Sequence, residues 1–122
     1  MRLWHESLIS KLPRQQLLGQ HRECAALRGN GWGKKHSVIN YIFKYSPAKL
    51  VSYHYLIMEE MINRGYNVTE AWLNLNYRGK GCKPYDFINH IEIGGLIYPE
   101  HDDEYLEECL LNLEGKGIKI VA

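Results

Sequence analysis

The chain reads as an all-α protein: a compact single domain spanning 1–122, with about three principal helices and long connecting loops. Three observations predict this. Apolar residues recur at helical spacing in three segments. Proline, glycine and acidic residues punctuate those segments where helices start and stop. A length of 122 residues with 45% hydrophobic content suits one core.

The first helix is predicted from Pro13, which suits a first turn because its missing N–H is no loss there. It should run to about Ala26–Arg28 and stop before the Gly29-Asn30-Gly31-Trp32-Gly33 loop. At 100° per residue, Gln15, Gln16, Gly19, Arg22 and Glu23 share one face. Leu17, Leu18, His21, Cys24 and Ala25 lie opposite. Lys34-Lys35-His36 follows the loop, and Val38–Phe43 continues as a short helix or an extended piece.

Ser46-Pro47 supplies an N-cap and a proline at the next position. The helix it opens is apolar nearly all round, which predicts the most buried element of the fold. Arg64 belongs to its last turn and Gly65 to the C′ position. Residues 69–77 stay open between helix and strand, because Ala71, Leu73, Leu75 and Tyr77 alternate. Residues 77–84 read as a loop, and 85–97 as an apolar stretch broken by Gly94-Gly95. Asp102-Asp103-Glu104 marks a helix start, Leu106, Cys109, Leu110 and Leu113 its apolar stripe, and Gly115 and Gly117 its end.

The net charge is only +1, but it is segregated. Residues 1–49 carry nine Lys or Arg against Glu6 and Glu23, giving +7, whereas residues 50–122 carry −6. A basic half is the usual footprint of a phosphate-binding surface, although attraction between the halves would also explain it. Cys24, Cys82 and Cys109 form no CxxC pair and read as reduced thiols. No apolar run is long enough to span a bilayer, and Glu6 and Lys11 interrupt any signal-peptide core. The expected location is the cytoplasm, with no membrane partner.

Leu8 to Glu23, then Lys35-His36, Ser46-Pro47 and Arg64-Gly65-Tyr66-Asn67, in that order, resemble the pyrimidine-dimer DNA glycosylases of the phage endonuclease V type. A weaker likeness around Tyr98-Pro99 leads into the last helix. The resemblance implies a compact all-α protein that recognises UV-damaged double-stranded DNA; a monomer with no cofactor and no metal is expected. It implies an N-terminal α-amine, here that of Met1, as nucleophile, with Glu23 as the essential carboxylate. Arg22 matches the arginine beside that glutamate, Gln15 a glutamine that contacts DNA, and Lys35-His36 a Lys-His pair in the family's basic segment; these, with Arg2, Arg28 and Lys34, are the residues expected to bind the nucleic acid. The chain departs from the pattern in three places. Arg2 follows Met1, a start that leaves the α-amine on Met1. Ala26 replaces an arginine one turn after the glutamate. Residues 115–122 lack the family's aromatic, basic tail.

Those residue types suit the chemistry. An α-amine has a reference pKa of about 8, so roughly a tenth is neutral at pH 7 and able to attack C1′ of a nucleotide. Expulsion of the base leaves an imine that acidifies the C2′ proton, and a carboxylate can relay protons while the 3′ phosphate leaves. From the residues alone, Arg22-Glu23 also fits an ordinary solvated helix face. Trp32 fits either a cap over the core or a wedge into DNA. Other classes are a DNA- or RNA-binding protein of the same fold without activity, a metal site from His90, His101, Cys82 and Cys109, and a tyrosine-rich oligomer interface. The spacing of the metal set matches no standard ligand pattern.

Overall fold

The computed structural model describes residues 3–29, 47–80, 83–84 and 97–120. Among them are three α-helices: α1 (Arg14–Arg28), α2 (Pro47–Asn63) and α3 (Asp103–Gly115). Two short 3-10 helices, Glu6–Lys11 and Glu70–Leu73, complete the set, and no strand occurs among the described residues. The segments 38–43 and 85–96, whose conformation the sequence left open, lie outside these residues.

Helix α1 starts one position later than expected. Pro13 is its N-cap, with ψ of 158°, and the first helical residue is Arg14. Its inward stripe holds Leu17, Gln20, Cys24, Leu27 and Arg28, and it packs against α2. Helix α2 is the most buried element: Leu50, Val51, Tyr53, Ile57, Met58 and Met61 are all at most 2% exposed. It ends as the sequence predicts, with Gly65 at φ +80°. The Gly65 N–H donates to Ile62 O and the Tyr66 N–H to Met61 O, the paired bonds of a Schellman stop.

Arg64 sits just past the helix. Its guanidinium donates to Leu12 O at 2.7 Å and Ser10 O at 3.1 Å, and its Nε pairs with Glu60 at 2.7 Å. It thereby holds the end of α2 against the turn that leads into α1. The 3-10 helix Glu6–Lys11 lies on α2 and buries Leu8 and Ile9.

Helix α3 opens on Asp102, whose carboxylate accepts the Tyr105 N–H at 2.9 Å. Gly117, at φ +81°, closes it with a second Schellman pair: Gly117 N–H to Glu114 O and Ile118 N–H to Leu113 O. Cys109 and Leu113 join the same core as Leu17, Leu27 and Ile57. Cys24 and Cys109 are free thiols, both fully buried, and burial pushes the Cys24 thiol well above its ordinary range. That makes it an apolar packing group rather than a nucleophile.

Candidate active site

Leu3, Trp4 and His5 belong to no helix or strand, yet all are buried. Backbone groups in such a segment need partners from elsewhere. Three helices supply them. The Trp4 N–H donates to Gln20 Oε1 of α1 at 2.7 Å, Tyr53 of α2 donates its hydroxyl to Trp4 O, and Tyr105 of α3 donates its hydroxyl to Leu3 O. The His5 ring stacks on His101 at 5.6 Å, and its Nδ1 accepts the Ser7 N–H at 3.1 Å. Farther along, Glu6 accepts the Ile97 N–H at 2.7 Å, and Lys49 donates to Ile97 O at the same distance.

Gln20 decides the orientation of the next group. A backbone N–H can only donate, so Gln20 must turn its oxygen to Trp4, and its amide nitrogen faces away. That nitrogen donates to Glu23 Oε2 at 3.2 Å. Glu23 lies on the flank of α1 and is partly exposed. One amide therefore joins the extended segment at Trp4 to the carboxylate at Glu23. The sequence placed Gln15 and Gln16 beside Glu23; this hydrogen bond comes from Gln20. The readable signal was a polar residue inside the apolar stripe, between Leu17 and Cys24.

Gln15 and Arg22 are exposed on the outer face of α1. A Cβ built on Gly19 would lie 3.7 Å from Arg22 Nη2, so the guanidinium folds back over that glycine. Arg28 corrects an expectation. It is 0% exposed and cannot reach a phosphate. Its guanidinium donates to Trp72 O at 3.1 Å, Asn74 O at 2.9 Å and Tyr77 O at 2.8 Å, and its centre sits 5.1 Å over the Trp72 ring. Burial of an arginine requires such a set of acceptors. The charge count could not see it, because partners 44 to 49 residues away carry no sequence signal. These bonds also explain why residues 69–77 form no strand: their carbonyls turn inward to one cation.

Arg28 further sets the state of two histidines. Arginine only donates, so His54 Nδ1 accepts from it at 3.1 Å and His54 Nε2 must carry the proton. That proton goes to His21 Nδ1 at 2.8 Å. Burial, then the nearby Arg28 charge, hold His54 well below the usual histidine range; burial, Arg22 and Arg28 lower His21. His101 is fully buried between aromatic rings, and burial pushes its pKa down to about 3. Met1, Arg2, Lys34, Lys35 and His36, together with Trp32 and Lys44, lie outside the described residues. His90 and Cys82 do too. Among the described residues no cluster of three or more metal-ligating side chains occurs. No helix described is long and apolar enough to cross a membrane.

Comparison with known proteins bears on residues 1–74, which match the sequence model of a family described as pyrimidine dimer DNA glycosylase. The match takes in the extended segment, α1 and α2, and ends before α3. No curated protein and no solved structure matches the chain.

Proposed function

Because the chain belongs to the pyrimidine dimer DNA glycosylase family, we propose that it cuts damaged or abasic double-stranded DNA as a glycosylase with an associated lyase step. The α-amine of Met1 is the nucleophile and Glu23 the catalytic carboxylate. One observation supports this above others: Trp4 and Glu23 share the Gln20 side chain. Met1 is three residues upstream of Trp4, so its nitrogen has a reach of about 10 Å from that anchor. An amine on so short a tether, with a carboxylate bound to the same amide as its anchor, is the pairing that imine chemistry needs.

In the reaction, the amine lone pair forms the N–C1′ bond as the bond from C1′ to the base breaks, and the departing base takes up a proton. Loss of a proton from nitrogen and opening of the sugar ring, with O4′ protonated, leave an iminium. Glu23 then takes the C2′ proton; those electrons form a double bond as the C3′–O bond breaks and the 3′ phosphate leaves. The residues that hold the backbone are Arg22 on the outer face of α1, with Arg2, Lys34, Lys35 and His36. Gln15 is a polar contact on the same face as Arg22.

The test is borohydride trapping on a duplex with one abasic site. The unmodified protein is expected to give a covalent adduct, and protein acetylated at its α-amine to give none. A full yield from acetylated protein would show that another group attacks. DNA binding with no adduct from either form would favour a binding protein without activity.

A further inference from the structure

The family match ends at residue 74, and a basic loop follows it. Between Glu70 and Asp86 the sequence has no acidic residue, yet it sets Arg78, Lys80 and Lys83 within six positions. The half of the chain around them, residues 50–122, is acidic overall. We propose that Lys80 and Lys83 form a second contact to the phosphate backbone of duplex DNA, continuing the one made by Arg22. The inference rests on the reading of the protein as one that binds damaged duplex DNA.

Arg78 seats the loop on the end of α1. Its Nε donates to Arg28 O at 2.7 Å, and its own carbonyl lies so near Gly29 that a Cβ there would stand 2.9 Å from it. The Trp72 ring backs the turn. A Cβ on Gly79 would meet that ring at 3.7 Å, and φ of +96° keeps the position for glycine. The Trp72, Asn74 and Tyr77 carbonyls turn inward to Arg28. The electronegative side of that backbone thus faces the core, not an approaching phosphate. Lys80 and Lys83 are exposed, and neither has an ion-pair partner among the described residues. Two cations held out on a seated loop suit a polyanion.

The loop also stands on the same flank as the expected DNA contacts. His21, next to Arg22 in sequence, binds His54, whose ring lies 5.8 Å from Trp72. Arg22 precedes the end of α1 by six residues, about 9 Å along the helix axis. At about 3.4 Å per charge on one DNA strand, that separation covers about three phosphates. One strand can run from Arg22 to the loop.

The test measures binding to a duplex with one abasic site, and to its undamaged counterpart, across a range of salt. Lys80→Ala combined with Lys83→Ala is expected to weaken both roughly tenfold at about 0.1 M salt. The slope of log K against log salt should fall by about 1.8, or about 0.9 per lost contact. Adduct formation at saturating duplex should keep its rate, because the loop holds backbone and not the reacting sugar. Lys80→Arg with Lys83→Arg should retain both affinity and slope. Lys116→Ala with Lys119→Ala removes the same charge near the opposite end of α1, where Ile120 shares a recess with Ser7 and Leu8. It should leave the slope unchanged. An unaltered slope in the Lys80 and Lys83 alanine variant would overturn the contact and leave the glycosylase reading standing. An equal fall in the Lys116 and Lys119 variant would overturn it too, by assigning the effect to net charge. Duplex binding without any adduct would fail the nucleophile reading alone, and the salt slopes would still decide the contact. No duplex binding by the unaltered protein would overturn both.

Discussion

At residues 20–23, α1 offers the Gln20 amide to a stretch of chain that lacks a ladder of its own, Leu3–His5, and the same amide reaches Glu23. At residue 28 the same helix offers a guanidinium to the turns around 72–77. Both contacts are polar and both join distant parts of the chain. They differ in what remains accessible. Arg28 is fully buried, with its two terminal nitrogens directed at backbone carbonyls and His54. Glu23 takes a proton-bearing partner from Gln20 yet stays in contact with solvent. A buried polar group that closes on the protein stabilises it. One left at the boundary can act on something outside.

The sharpest way to break this comparison is Glu23→Gln. It is expected to slow strand cleavage about 10²- to 10⁴-fold. Tm should change little and DNA affinity should hold or rise, since a negative charge near phosphate is lost. A large fall in Tm would place Glu23 with Arg28, as a structural group. Arg28→Met is the converse. It leaves the Trp72, Asn74 and Tyr77 carbonyls without their donor and should cost about 3–5 kcal/mol in denaturant unfolding. Arg28→Lys should recover only part of that, because an ammonium cannot fork between carbonyls. Stability unchanged in both variants would refute the structural role.

A pH-dependent effect follows from the buried histidines. His101, near 3 when folded, and His54, also lowered, remain neutral in the native state but charge freely once unfolded. The unfolded chain then binds more protons, so stability is complete above about pH 6.5 and falls with acidification toward pH 3. The slope is at most about 1.4 kcal/mol per pH unit for each group. Urea unfolding between pH 4 and 8 measures it, and His101→Phe should flatten the curve. A curve equally steep in that variant would locate the acid sensitivity elsewhere.

Signals confined to a few adjacent residues were legible in the sequence. Gly65 and Gly117 are the helix stops they looked like, Asp102 caps α3, and the apolar girth of α2 is its burial. The helical course of α1 and the place of Glu23 on it were legible as well. What escaped depends on long-range partners. The 3-10 helix Glu6–Lys11 exists because Leu8 and Ile9 dock on α2 and Arg64 covers its last carbonyls. Alternation over 71–77 mimicked a strand, whereas those carbonyls answer to Arg28. Gln20, Tyr53 and Tyr105 look like ordinary residues until the extended segment lies across them.

The bonds that hold the segment before α1 are also among the longest in sequence: Tyr105 to Leu3 spans 102 residues and Ile97 to Glu6 spans 91. Helices α1 and α2 meet over a much shorter separation, as His21 and His54 do across 33. Chain entropy disfavours closure of the longer loops, so they close after the shorter ones. Refolding thus has an order: the α1–α2 pair gathers first, and the seat of the extended segment is complete only when α3 arrives. Only the Leu3 contact waits for α3, whereas Gln20 holds Trp4 across just 16 residues, so that half of the seat belongs with the early α1 contacts.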